Sequence, residues 1–177
     1  MPLETIILIS FLFSSLSGVV FHFAHKKFPK NLLVHIFCPV NESVWEHTKL
    51  TFSPMFFAGL FQLFAINNFY PNHYLSILVS IVAGIVLVPV LYYPIRAIIK
   101  KEVVWVSIGL FYVVIICAYF IEYSMLKNNT SIPGYNLETL SFWLTISLIF
   151  SYTILTFFPP KWGIFKDSIK KKYGDFK

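Results

Sequence analysis

The chain has 177 residues, of which 57% are hydrophobic and only 12% are charged, and its formal net charge is +6. A soluble domain usually carries about 25% charged residues, so this composition, with a mean hydropathy of +0.72, excludes an ordinary soluble domain. In a membrane protein the positive charge indicates orientation and contact with anionic lipid, and we expect no nucleic-acid partner.

Five apolar segments are each long enough to cross a bilayer, since a crossing helix needs roughly 20 residues. They predict an all-α fold: a polytopic helical membrane protein with a single domain at residues 1–158 and a basic cytoplasmic tail at 159–177. The first segment has no basic residue before it and no cleavage motif after it, so we expect it to remain as a transmembrane helix. The predicted spans are about residues 3–24, 44–66, 74–95, 103–125 and 138–158.

Residues 31–66 form one apolar region that polar residues interrupt near its middle. The part before the interruption, residues 31–40, is too short to cross a bilayer alone. We predict that it is a short re-entrant or interfacial segment and that one span follows at 44–66. A hairpin of two short helices, at 31–40 and 50–66, is the alternative.

The basic residues favour the first arrangement. With five spans, the basic residues that follow spans one, three and five all fall on one side of the membrane, and Lys127 is the only one on the other side. Lys and Arg concentrate on the cytoplasmic side of membrane proteins. We therefore predict a multi-pass protein of the cell membrane with its N-terminus outside and its C-terminus in the cytoplasm.

The densest polar stretch of the chain runs from Pro39 to Leu50 and contains two carboxylates, an imidazole and an ammonium. One explanation is structural, because Ser43 and Glu46 have the spacing of a capping box at a helix start. A capping box does not account for all of these charged residues, since Glu42, Glu46 and Lys49 would lie in one stripe along a helix that runs toward the membrane. Ionisable groups at that depth are costly and normally face a protein interior or a wet cavity.

The predicted topology brings further polar residues to the depth of this stretch. Tyr92 and Tyr93 end the third span, where tyrosines also commonly mark the membrane interface. Arg96 is either a residue that extends to the interface or a counter-ion for a glutamate. The candidate residues of a ligand pocket are Asn41, Glu42, Trp45, Lys49, Tyr92, Tyr93 and Arg96.

Carboxylates and imidazoles in this combination can bind a divalent metal such as zinc, or they can act as a general acid–base pair. A structural role is the alternative for each histidine. Lys49 argues in part against a metal, because it already neutralises one carboxylate. The candidate catalytic residues are Glu46 and His47, and the candidate metal ligands are His22, Glu42, Glu46 and His47.

Three functions from different classes follow from this pattern. The first is a polar site within the membrane, near its cytoplasmic side, that binds a small ligand or a metal or performs acid–base hydrolysis. The second is a small transporter or permeation unit that uses Glu42 and Glu46 as a cation or proton site. The third is a structural or partner-binding membrane protein without chemistry.

The basic tail has two interpretations. Its lysines can meet anionic lipid while the tail itself is disordered. Alternatively, the tail folds back under residues 42–49 and closes the pocket from the cytoplasm.

Two strings of the sequence resemble those of an uncharacterised family of small bacterial integral membrane proteins, a domain of unknown function. The first is Val40-Asn-Glu-Ser-Val-Trp-Glu-His-Thr-Lys49, and the second is Phe158-Pro-Pro-Lys-Trp-Gly-Ile-Phe-Lys-Asp followed by Tyr173-Gly174. The resemblance spans nearly the whole chain. It implies about five membrane helices and a bacterial inner membrane, and it implies no activity.

Overall fold

The computed structural model of the chain describes residues 1–65, 70, 72–101, 103–130 and 137–174. Residue 66, the predicted end of the second span, lies outside them, as do most of the predicted loop 67–73 and part of the predicted loop 126–137. Over the described residues the fold is all-helical, which confirms the predicted fold class. The helices are α1 (Leu3–Lys27), α2 (Leu32–Phe37), α3 (Val44–Ala65), α4 (His73–Ile99), α5 (Val104–Lys127) and α6 (Leu137–Phe157), followed by a 3-10 helix at Gly163–Phe165.

Four helices, α1, α4, α5 and α6, are long and apolar enough to cross a membrane. Their outer surfaces carry large apolar side chains such as Leu16, Phe120 and Phe150, each more than 60% exposed. Lipid is the environment that accepts such a surface, so the chain is a membrane protein. The helix α3 has 22 residues, but charged groups occupy its first two turns, and its crossing of the membrane stays a prediction.

The helix α3 packs between α1 and α4. Its Phe52, Met55 and Ala58 are almost fully buried. At its contact with α4, a Cβ atom on Gly84 would lie 2.5 Å from Cγ2 of Thr51, so glycine allows the two helices to approach closely. The end of α1, the start of α3, the end of α4 and the start of α5 meet at one end of the bundle.

The short helix α2 occupies the place predicted for a re-entrant or interfacial segment. Its six residues span only about 9 Å, and Asn31 caps it by accepting a hydrogen bond from the backbone N–H of Leu33 at 2.9 Å. After Cys38 the chain turns, and α3 then runs without a break to Ala65. The alternative hairpin of two short helices at 31–40 and 50–66 is therefore not the arrangement of the structure.

The tail folds back beneath the start of α3 as far as it is described, to residue 174. Its Phe165 is buried and packs against Trp45, with ring centroids 5.1 Å apart. The backbone N–H of Ser168 donates to the carbonyl oxygen of Glu42 at 3.2 Å. Of the two interpretations of the tail, the folded one describes this segment.

Candidate functional site

The start of α3 is fixed by a partial capping box. The backbone N–H of Glu46 donates to the hydroxyl of Ser43 at 3.2 Å, as the motif predicts. The Glu46 carboxylate does not return to the N–H of Ser43, which donates instead to the side-chain oxygen of Asn41 at 2.9 Å. The Glu46 side chain is thereby free for a different partner.

That partner is Lys49, and the two form a buried ion pair. Their charged atoms are 2.7 Å apart, and the side chains are 3% and 0% exposed. Thr156 on α6 donates to Glu46 at 3.1 Å and accepts from Lys49 at 2.6 Å. The Val40 N–H also donates to Glu46, and Lys49 donates to the carbonyl of His35. The pair therefore joins α2, the turn after it, α3 and α6, and its hydrogen-bonding groups are satisfied.

The thiol of Cys38 lies beside this ion pair. Burial raises its pKa to about 11, against the opposing charge of Lys49. A raised pKa keeps the thiol protonated at neutral pH and so disfavours its use as a nucleophile or a metal ligand.

Glu42 lies in the turn before α3, so it does not share a helical stripe with Glu46 and Lys49. A carboxylate oxygen of Glu42 is 3.4 Å from Nε2 of His47. The other ring nitrogen of His47, Nδ1, lies 2.9 Å from the carbonyl oxygen of Ser43, which can only accept, so Nδ1 carries a hydrogen. A neutral ring would then point the lone pair of Nε2 at the carboxylate. A cation between the two atoms would make this contact favourable.

His22 joins this contact from α1. One ligand atom each of His22, Glu42 and His47 lie within 4.8 Å of one another, and all three residues are half-buried. The Nδ1 atom of His22 is buried and has no hydrogen-bond partner among the described residues. Three of the four candidate metal ligands are therefore close together, and we call His22, Glu42 and His47 the histidine–glutamate cluster. The fourth candidate, Glu46, is held away by Lys49.

The histidine–glutamate cluster lies at the polar end of a cavity of about 470 Å³ between α1, α3, α4 and α5. Tyr92, Arg96 and Lys101 line the same end. The walls are otherwise mostly apolar, with Val88, Ile95 and Phe111 among them, and Ser168 and Ile169 of the tail close one side.

The remaining candidate pocket residues lie elsewhere. Asn41 holds the turn before α3, and Trp45 packs between Tyr152 and Phe165 at centroid distances of 5.0 and 5.1 Å. Tyr93 is 46% exposed on the outside of α4. These side chains and Lys49 do not line the cavity, so they can shape it only indirectly.

Sequence reasoning missed the residue of the tail that holds Glu42. Asp167 is 1% exposed, and one of its carboxylate oxygens accepts from the backbone N–H of Glu42 at 3.1 Å. Its other oxygen accepts from the N–H groups of Ile169 and Lys170 at 2.8 and 2.6 Å. Burial raises the pKa of this carboxyl, but the hydrogen bonds from these three N–H groups and the charge of Lys170 outweigh it and hold the pKa below its ordinary value.

A family model described as a family of unknown function (DUF6512) matches residues 2–175 of the chain. The match confirms the resemblance to an uncharacterised family that the two sequence strings indicated. No curated protein and no solved structure matches the chain.

Proposed function

This chain belongs to DUF6512, a family of unknown function, and we propose that it is a metal-dependent membrane hydrolase for an amphipathic, anionic substrate. One observation carries the proposal: the histidine–glutamate cluster converges on the polar end of an otherwise apolar cavity. Catalytic zinc commonly has three such protein ligands and keeps a fourth position for water or substrate.

The local geometry supports a metal at the histidine–glutamate cluster. Two ligand atoms around a tetrahedral zinc ion are about 3.4 Å apart, which is the separation of Glu42 and His47. The hydrogen bond from Nδ1 of His47 to a backbone carbonyl is also the usual support of a metal-binding histidine. A divalent ion held there would lower the pKa of bound water to about 7 and so supply a nucleophile for hydrolysis.

The cavity lining supports the substrate class. Arg96 and Lys101 line the same cavity as the cluster and place positive charge on its wall, which suits an anionic group. The apolar walls between α1 and α5 suit a hydrocarbon chain, and a volume of about 470 Å³ is within the usual range for small-molecule sites. Glu46 has no catalytic role in this proposal, because Lys49 neutralises it away from the cavity.

The test is a set of variants with two readouts, metal content by elemental analysis and bound lipid by mass spectrometry of an organic extract. We expect about one zinc ion per chain in protein purified without a histidine tag and supplied with zinc. His22→Ala, Glu42→Gln and His47→Ala each remove the metal and leave the lipid. Gly18→Leu should keep the metal and lose the lipid, since a Cβ atom at Gly18 would already lie 2.5 Å from the ring of Phe111 in the cavity wall.

Two matched controls accompany these variants. His25→Ala removes a histidine one turn further along α1, and Gly109→Leu adds the same side chain where no atom lies within 4 Å. Neither should change either readout. Zinc that persists in all three cluster variants would remove the metal from the proposal, and lipid that persists in Gly18→Leu would remove the substrate class.

We also propose that the histidine–glutamate cluster faces the cytoplasm of a bacterial inner membrane, with the exposed tail lysines against anionic lipid. The distribution of Lys and Arg supports this orientation. In a variant that lacks Cys117, we expect cysteines at positions 30 and 101 to react with an impermeant reagent only from the cytoplasmic side. A cysteine at position 129 should react only from outside, and its labelling from the cytoplasm would contradict the orientation.

A further inference from the structure

A second buried polar cluster lies at the other end of the bundle. It consists of Gln62 on α3, His73 and Ser80 on α4, and Glu122 on α5, and we call it the Glu122 cluster. All four residues are at most 7% exposed. Gln62 is 15 residues after His47, or about 22 Å along α3, so this cluster is separate from the proposed metal site.

The hydrogen bonds of the Glu122 cluster are incomplete. Ser80 donates to Oε2 of Glu122 at 3.0 Å. Nε2 of His73 lies 3.2 Å from Oε1 of Gln62, an acceptor, so Nε2 carries a hydrogen. The atoms Oε1 of Glu122 and Nε2 of Gln62 are buried, and neither has a partner at full hydrogen-bond geometry among the described residues, although the Gln62 amide is near enough to the carboxyl to interact with it. Such groups in a native interior call for a missing proton, ion or water.

No positive side chain compensates Glu122 within the described part of the chain. The ion pairs there involve Glu42 and Glu46 instead. The titratable group beside the carboxyl is Tyr119, one turn back on α5, whose hydroxyl pairs with Ser14 of α1 at 2.7 Å. The neutral Gln62 of α3 lies between the carboxyl and His73 of α4. A carboxylate buried without a cation is costly, and the binding of a proton removes its charge.

We propose that Glu122 is a proton-binding site of the membrane interior, supplied from the nearby end of the bundle where His73 begins α4. The uptake of one proton from water forms an O–H bond on the carboxyl and leaves no other group changed. The neutral acid can then donate a hydrogen bond to a water or an amide oxygen. A site of this kind is what proton-coupled transport requires, and it differs from the site expected at Glu42 and Glu46.

The experiment treats the intact protein in detergent with a hydrophobic carbodiimide, which reacts with protonated carboxyls in apolar surroundings, and maps the adducts by peptide mass spectrometry. Glu46 is an internal control, because it is as buried as Glu122 but pairs with Lys49. We expect modification at Glu122 and none at Glu46. Modification should fall by about tenfold for each pH unit above the midpoint of the carboxyl.

Three results would overturn the proposal. They are equal modification of Glu46 and Glu122, no modification of Glu122 at any pH, and a yield at Glu122 that does not change with pH. Sodium ions at constant pH should leave the yield unchanged; protection by sodium would be a fourth overturning result, because it would assign the site to a metal cation instead of a proton. The wild-type chain suffices for each measurement, so the result does not depend on the folding of a variant.

Discussion

Glu46→Ala is expected to lower the free energy of unfolding by about 3–5 kcal/mol, because it leaves the ammonium of Lys49 buried without its counter-ion. Lys49 is 0% exposed, and its remaining partners are backbone carbonyls and the hydroxyl of Thr156. The loss also releases a contact between α3 and α6. Thermal or denaturant unfolding of the purified protein in detergent measures the change.

Two controls separate this mechanism from a general effect of substitution. Glu4→Ala removes an exposed carboxylate at the start of α1 and should cost less than about 1 kcal/mol. The double variant Glu46→Leu with Lys49→Met removes both charges and fills the space, so it should recover most of the loss. A melting point of Glu46→Ala equal to that of the wild type would show that the pair contributes nothing to stability.

The start of α3 shows how much of the structure the sequence could predict. Apolar runs long enough to cross a bilayer predicted the long helices, and the spacing of Ser43 and Glu46 predicted the start of α3. The same capping box places Glu42 before the helix, so the predicted stripe of Glu42, Glu46 and Lys49 was wrong; in the turn, Asn41 accepts a hydrogen bond from the backbone N–H of Ser43. Glu42 and Glu46 therefore belong to different sites, although four residues separate them.

The contacts that sequence reasoning missed join distant parts of the chain. Asp167 holds the backbone of Glu42 across 125 residues, and Ser80 reaches Glu122 across 42. No periodicity marks such pairs, since each depends on how the helices and the tail pack. In the sequence, Gln62 and Ser80, which lie beside Glu122, look like ordinary polar residues of apolar segments.

The contact between the tail and Glu42 gives the last prediction, which rests on the proposed metal site. Asp167→Asn is expected to weaken zinc binding by about 10–100-fold, the usual effect of losing a group that orients a metal ligand. Both carboxylate oxygens of Asp167 accept hydrogen bonds from backbone N–H groups. An asparagine has only one acceptor oxygen, so its NH₂ group would face the N–H of Glu42 or those of Ile169 and Lys170.

The sign of the pH effect follows from the lowered pKa of Asp167. A carboxyl whose pKa is lower in the folded state stabilises the folded tail fully above its ordinary pKa, and this contribution is lost as the pH falls through the lowered value. At neutral pH the Asp167 carboxylate is therefore ionised and accepts all of these hydrogen bonds, and zinc affinity can be measured there by competition with a chelator. Asp167→Asn should also loosen the folded tail, so that trypsin cleaves it faster at its lysines, while the unfolding of the helices stays nearly unchanged. The exposed Lys161→Gln serves as the control for zinc affinity. Wild-type zinc affinity in Asp167→Asn, together with faster cleavage of the tail, would show that the tail folds on Glu42 without positioning it as a ligand.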